Sequence, residues 1–165
     1  MKIIGLAVLA LLLGVGTYVW KTEIGDDEIY ILPAGYRGVV LILYDQTNGE
    51  PKKYEQGKRV HEIPPSGILK TQFSVNTGWH RFGEYYYRES GKLTRIPYVI
   101  DGKETGSNRA VQSDEVYACC PSNGQAGKDP DDPPVVYGQF YVGTKEEISK
   151  ASEKREKINP IDFVN

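Results

Sequence analysis

The stretch of the chain best suited to ligand binding is aromatic. Five aromatic residues fall within nine positions: Trp79, Phe82, Tyr85, Tyr86 and Tyr87. Successive strand residues point to opposite faces, so three consecutive tyrosines place at least one side chain outward unless a loop covers it. Exposed Trp and Tyr rings combine a large rigid area with a polar tip, which suits sugar or peptide ligands. Trp79, Tyr85, Tyr86 and Tyr87 are therefore predicted to form a binding surface, and core packing with cross-strand pairing is the alternative.

Two adjacent cysteines, Cys119 and Cys120, are the candidate redox site. Neighbouring cysteines can close only a strained ring, because ordinary disulfides join Cα atoms about 5.5 Å apart. Outside the cytosol, free thiols also tend to oxidise. A vicinal disulfide, an intermolecular bridge or metal capture are the chemical alternatives, against a strand end that simply buries one cysteine.

The chain contains two histidines, His61 and His80. The pair His61-Glu62 begins like the zinc motif H-E-x-x-H, but Pro65 occupies the second histidine position and Pro64 breaks any helix there. The zinc motif is therefore absent. A metal site made by His61 and His80 is the alternative to two solvated side chains.

Other chemical motifs are incomplete. Asp129, Asp131 and Asp132 could offer oxygens to calcium, but the glycine and closing glutamate of an EF-hand are missing, and a solvated loop is the alternative. The chain has no G-x-S-x-G, P-loop or C-x-x-C motif. No catalytic residue, metal site or cofactor is predicted.

The N-terminus is strongly hydrophobic. Residues 3–20 form an uncharged run of about 18 residues, which as a helix would just span a bilayer. Lys2 precedes the run and acidic residues follow Lys21, so the basic bias places the N-terminus in the cytosol and the rest of the chain outside it. Residues 18–21 resemble an interfacial aromatic belt, which favours an uncleaved anchor. Cleavage near residues 14–16 as a signal peptide would instead give a secreted protein.

Length and charge limit the domain organisation and the classes of partner. Residues 1–21 are predicted as the anchor helix, 22–28 as an acidic spacer and 29–165 as one domain. The net charge is −2, with acids and bases spread along the chain. Nucleic acid is not a predicted partner, because duplex binding needs a clustered basic surface.

The elements of the domain read as short strands followed by one helix. Residues 38–44 form the strongest strand, and residues 84–88 and 93–99 are predicted to pair as a hairpin. Thr144 and Glu147 form a capping box that starts a helix spanning about 145–158. Seven or eight strands with turn signals about every ten residues predict an antiparallel β-sandwich, Ig-like or transthyretin-like, with one C-terminal helix.

Four motifs extend across most of the exported part: ILPAGYRG, NGEPKKYEQGKRVHEIP, GILKTQF and FYVGTKEE. Through them the chain resembles an uncharacterised bacterial family, a domain of unknown function found behind N-terminal signal or anchor helices. The resemblance implies membership and no assigned activity. The strand and turn pattern is also similar to transthyretin and carboxypeptidase-regulatory sandwiches, and this second likeness implies fold alone.

These features predict a non-enzymatic, membrane-tethered interaction module of the cell envelope with a protein or glycan ligand. An envelope enzyme whose site is assembled only in three dimensions, and a structural accessory subunit, are the alternatives. A concave pocket that gathers His61 or His80 with two carboxylates would favour the enzyme. A flat exposed face of Trp79, Tyr85 and Tyr87 would favour the binding module.

Overall fold

A computed structural model describes residues 24–127 and 133–164. The predicted anchor helix over residues 3–20 and the candidate calcium ligands Asp129, Asp131 and Asp132 lie outside these residues. None of the helices in the described part of the chain has the length and hydrophobicity needed to cross a bilayer.

The described residues are mainly β-structure. The strands are β1 (Glu28–Pro33), β2 (Gly38–Leu43), β3 (Tyr54–Glu55), β4 (Lys58–Glu62), β5 (Ile68–Lys70), β6 (Glu84–Glu89), β7 (Lys92–Ile96), β8 (Tyr98–Ile100), β9 (Lys103–Glu104), β10 (Tyr117–Ala126) and β11 (Val135–Gly143). They are followed by helix α1 (Lys145–Arg155) and a 3-10 helix (Pro160–Phe163). The prediction of a mainly β domain with one C-terminal α-helix is confirmed for this part of the chain.

The strands form two sheets of mixed direction. One sheet has the order β3-β4-β1-β6-β7 and the other β5-β2-β11-β10-β8-β9. Strand β1 pairs parallel with both β4 and β6, and the pairs β2–β5 and β8–β10 are also parallel. The predicted antiparallel pairing is therefore wrong for these strands.

The parallel pairs have a topological cause. The chain leaves the first sheet after β1 to form β2 in the second sheet, then returns to the first sheet as β3 and β4. A strand that returns after such a crossover can run in the same direction as its neighbour, whereas strands joined by a tight turn must be antiparallel. The predicted hairpin, β6 with β7, is of the second kind and is confirmed, with Tyr85 opposite Ile96.

The two sheets share one hydrophobic core. The first sheet contributes Tyr30, Leu32 and Tyr85, and the second contributes Ile42 and Phe140. The rings of Tyr30 and Tyr85 stack with their centroids 5.1 Å apart, and both lie about 5.0 Å from the ring of Phe140. Large aromatic side chains thus fill much of the space between the sheets.

Helix α1 covers the outer face of the second sheet. The predicted capping box is present: the Thr144 hydroxyl accepts from the Glu147 amide, and the Glu147 carboxylate accepts from the Thr144 amide at 2.8 Å. Ala151 and Arg155 are its buried residues. The Arg155 guanidinium lies over the Tyr137 ring, 5.0 Å from its centroid. This cation–π interaction helps to hold the helix against β11.

Candidate functional site

A cavity of about 290 Å³ opens between the two sheets beside the loop that precedes β6. The strands and this loop both contribute to its wall, which is partly aromatic and partly polar. The lining residues are Glu28, Tyr30, Ile42, Tyr44, Asn76, His80, Arg81, Phe82, Gly83, Tyr85, Pro121, Ser122, Asn123, Gln139 and Phe140. Glu28 is the one carboxylate among the described residues of this wall.

Glu28 is buried, with only 6% of its surface exposed, and its carboxylate is held by three side chains. The Tyr30 hydroxyl donates to Oε2 at 2.7 Å, and His61 Nε2 lies 3.2 Å from Oε1. His80 Nε2 is 4.0 Å from Oε2 on the side of the loop. The strands explain this arrangement: residues two apart on β1 share a face, and Tyr30 stands beside His61 in the β1–β4 register.

These partners keep the carboxylate ionised. Burial on its own would raise the pKa of Glu28, because a low-dielectric surrounding disfavours charge. The hydrogen bonds from His61 and Tyr30, with electrostatic attraction to both histidines, outweigh burial and hold this pKa below its usual value. Conversely, burial and the charge of Glu28 raise the pKa of Tyr30 well above normal, so its hydroxyl stays a donor.

His61 is enclosed in the aromatic core. Its ring stacks on Tyr30 at 5.0 Å between centroids and lies 5.2 Å from the ring of Phe73. Its Nδ1 atom has no hydrogen-bond partner among the described residues. The hydrogen bond to Glu28 is therefore the one polar contact of the ring within the described residues, and the ring holds that carboxylate in place.

Two further tyrosines give the cavity free hydroxyl groups. Tyr44 and Tyr85 are 4% and 2% exposed, and both line the cavity. No hydrogen bond of either hydroxyl is present within the described residues, and neither belongs to the fully buried unpaired polar atoms, so both reach the cavity space. Burial raises the pKa of both tyrosines, so each hydroxyl can donate as well as accept.

The structure separates the aromatic residues that the sequence grouped as a binding surface. Tyr85 points into the core, whereas Tyr86 projects from the other face of β6 and donates its hydroxyl to Glu84 at 3.0 Å. Tyr87 donates to the Tyr36 carbonyl at 2.7 Å. Trp79 is 81% exposed. Tyr85 therefore belongs to the cavity wall and not to a flat exposed face with Trp79 and Tyr87.

The cysteines lie at an irregularity of β10, where its register with β11 shifts. Both thiols are free, with Cys119 buried beside Tyr141 and Ala151 and Cys120 exposed. Burial, with the neighbouring Cys120 thiol, raises the pKa of Cys119 and makes it a weak nucleophile. Redox chemistry at this pair stays a prediction.

The two histidines approach one carboxylate from different sides, and His61 is buried instead of solvated. Within residues 24–127 and 133–164, no group of three or more His, Cys, Asp or Glu side chains has the geometry to hold a metal ion.

Sequence reasoning missed Glu28, Tyr30 and Tyr44 as site residues. The alternation of strand side chains between the two faces of a sheet could have indicated two of them. Glu28 and Tyr30 must share the face of β1 that carries the buried Leu32. The sequence placed Glu28 both at the end of an acidic spacer and at the start of a first strand over residues 28–32. In the structure Glu28 begins β1, and Asp26 in the same segment is bonded to Arg59 and Asn76, which holds this segment against the domain.

Fold and site together define a two-sheet β domain with an internal cavity around a buried carboxylate. Residues 25–123 match the family of unknown function DUF6843, and the chain belongs to this family. The predicted membership in an uncharacterised family is thereby confirmed. The matched residues include Glu28, both histidines and the cavity tyrosines.

A solved structure supports the fold. The chain is similar to a protein from Bacillus anthracis described as a "Putative Lipoprotein", with a TM-score of 0.51, 16% identity and 76% of each chain covered. At this identity the likeness concerns the fold alone. No curated protein matches the chain.

Proposed function

We propose that this chain is a membrane-tethered binding module of the cell envelope, and that its cavity takes a hydroxylated ligand such as the end of a glycan. The cavity around Glu28, with an ionised carboxylate and two unpaired tyrosine hydroxyls, is the observation that carries the proposal. The proposed role is binding without catalysis.

The chemistry of the wall favours hydroxyl groups over charged ones. Glu28 offers acceptor oxygens, and Tyr44 and Tyr85 offer hydroxyls that both donate and accept. The rings of Phe82 and Phe140 give apolar faces for the C–H surface of a sugar. The volume of about 290 Å³ is at the small end of ligand sites and would fit about one sugar ring.

The membrane tether is supported by the uncharged run at residues 3–20. The description of the Bacillus anthracis neighbour also points to an envelope protein. We therefore assign the tether to the hydrophobic run, with the domain outside the cytosol.

A hydrolytic site is the second candidate, and the position of His80 favours it. Its Nε2 lies 4.0 Å from Glu28 Oε2 at the cavity wall, so a carboxylate could orient it as a general base. A glycosidase would in general need a second carboxylate beside the ligand, and Glu28 stands alone among the described lining residues. This contrast favours binding over hydrolysis.

Titration of the full chain in nonionic detergent with N,N′-diacetylchitobiose and a panel of neutral disaccharides tests the ligand class. We expect Tyr44→Phe and Tyr85→Phe to weaken binding about fivefold each, the value of one hydrogen bond. Both hydroxyls are unpaired in the free protein, so their loss leaves the fold unchanged. Tyr86→Phe is the matched control, since its hydroxyl lies outside the cavity.

Equal affinities for wild type and both cavity variants would show that the cavity is not the site. Wild-type protein that binds no sugar of the panel would contradict the glycan ligand. Release of monosaccharide during the titration, abolished by His80→Gln, would support the hydrolytic candidate instead.

A further inference from the structure

Three large apolar side chains lie exposed on the described domain close to the point where the chain emerges from the predicted anchor. Ile24, Trp79 and Phe82 are 52%, 81% and 62% exposed. Ile24 and Trp79 form an isolated parallel bridge, and the Gly25 amide donates to the Trp79 carbonyl at 2.9 Å. The loop that carries Trp79 and Phe82 is thus fixed beside residue 24. We call these three residues the juxtamembrane surface.

The length of chain between the anchor and this surface is short. The hydrophobic run ends at Trp20, and Ile24 is the fourth residue after it. A fully extended chain covers at most about 3.6 Å per residue, so Ile24 lies within about 14 Å of the end of the run. Since Trp79 is bridged to Ile24, the loop cannot move far from the membrane if the run stays in it.

From this geometry we infer that the juxtamembrane surface docks into the interfacial layer of the bilayer that holds the anchor. The inference rests on the tether of the proposed function and goes beyond it. Tryptophan prefers the membrane interface because its ring is apolar and its N–H is polar. Apolar patches exposed on soluble domains mark contact surfaces, and the bridge places Ile24 and Trp79 side by side with Phe82 three residues further along the same loop.

The described carboxylates nearest this surface have hydrogen-bond or ion-pair partners, and Arg81 adds an exposed positive charge that does not repel lipid phosphates. The Asp26 carboxylate accepts from Arg59 Nε at 2.8 Å, and Glu28 is buried. Asp27 accepts from the backbone amide of Arg81 at 3.2 Å. Attraction to lipid is therefore mainly apolar, and we expect docking on uncharged phosphatidylcholine with little dependence on salt.

Docking would also place one edge of the cavity at the lipid surface. His80, Arg81 and Phe82 line the cavity and belong to the same loop as Trp79. A ligand carried on the membrane would then reach Glu28 without crossing open solvent.

Tryptophan fluorescence of the full chain in phosphatidylcholine vesicles tests the inference, because the chain has two tryptophans, Trp20 and Trp79. In the Trp20→Phe variant, Trp79 is the reporter. We expect its emission to shift to shorter wavelength and to lose intensity when the lipid is brominated near the headgroup. Ile24→Ser and Phe82→Ser in this background should reduce the quenching. Leu93→Ser, an exposed apolar site on β7, is the matched control and should leave it unchanged.

In the Trp79→Phe variant, Trp20 is the remaining tryptophan, so the quenching of its fluorescence reports on the tether separately. Quenching of Trp20 without quenching of Trp79 would overturn docking and leave the tether intact. Absence of quenching at both positions would overturn docking and the tether. Trp79 that is shielded from acrylamide in water yet not quenched by brominated lipid would show that a protein or a second copy covers it, which also overturns the inference.

Discussion

At the scale of single residues, Glu28 shows how a charge is kept inside an aromatic core. An isolated carboxylate in such a place would protonate, because burial strongly disfavours the ionised form. Tyr30 and His61 donate to its two oxygens, and the His80 ring lies near one of them. The interactions outweigh burial, so the ionised form belongs to the folded state.

This balance predicts how stability depends on pH. Because the pKa of Glu28 is lower in the folded chain than in the unfolded one, its contribution is present above about 4.5 and is lost as pH falls through the folded pKa. Glu28→Gln should cost about 1–2 kcal/mol of unfolding free energy at neutral pH. The cost should shrink in acid, as measured by urea unfolding in nonionic detergent from pH 7 to pH 3.

Glu89→Gln is the control, because Glu89 is exposed at the β6–β7 turn. Its unfolding free energy should run parallel to that of wild type across the whole range. A Glu28→Gln deficit that stays constant down to pH 3 would contradict an ionised Glu28 in the fold.

At the scale of elements, Gly49 shows a second reason for glycine in a turn. Asn-Gly pairs are common in tight hairpins because they tolerate positive φ, but Gly49 is not among the positive-φ glycines. Instead, Glu50 pairs in parallel with Thr71, and the Gly49 backbone packs against that segment. A Cβ at position 49 would stand 2.6 Å from the Thr71 nitrogen, so close backbone approach is the reason for glycine here.

Two glycine substitutions separate close approach from backbone conformation. Gly49→Ala should lower the unfolding free energy by about 2 kcal/mol, because the neighbouring atoms are backbone and cannot move aside. Gly57→Ala, at φ +79° with open space around it, should cost only about 1 kcal/mol. Denaturant midpoints of the full chain give both values. Equal effects, or a larger one at Gly57, would contradict the packing of this turn.

At the scale of the whole molecule, the exposed Cys120 offers a test of which side of the membrane the domain occupies. Cys119 is buried and Cys120 is exposed, so one thiol is open to reagents. After mild reduction of intact cells, a membrane-impermeant maleimide should label the full chain at one position. Cys120→Ser should abolish the labelling, and Cys119→Ser should leave it.

Labelling that requires cell lysis would place the domain in the cytosol. Two labels per folded chain would contradict the burial of Cys119.

Local signals predicted the elements better than their assembly. The β6–β7 hairpin and the capping box of Thr144 and Glu147 depend on residues a few positions apart, and both are confirmed. The helix ends at Arg155, earlier than the predicted 158. Strand direction was missed, because alternation of apolar residues is the same in parallel and antiparallel strands.

The sequence by itself determined the hydrophobic run, the strand-rich domain, the family and the helix start. The tertiary structure decided which side chains meet. Tyr85 and Tyr86 are neighbours in sequence but occupy opposite faces of β6, and Glu28 meets His61 through strands that are more than 30 residues apart. Such contacts depend on the register between distant strands, and no short-range pattern of residue types encodes that register.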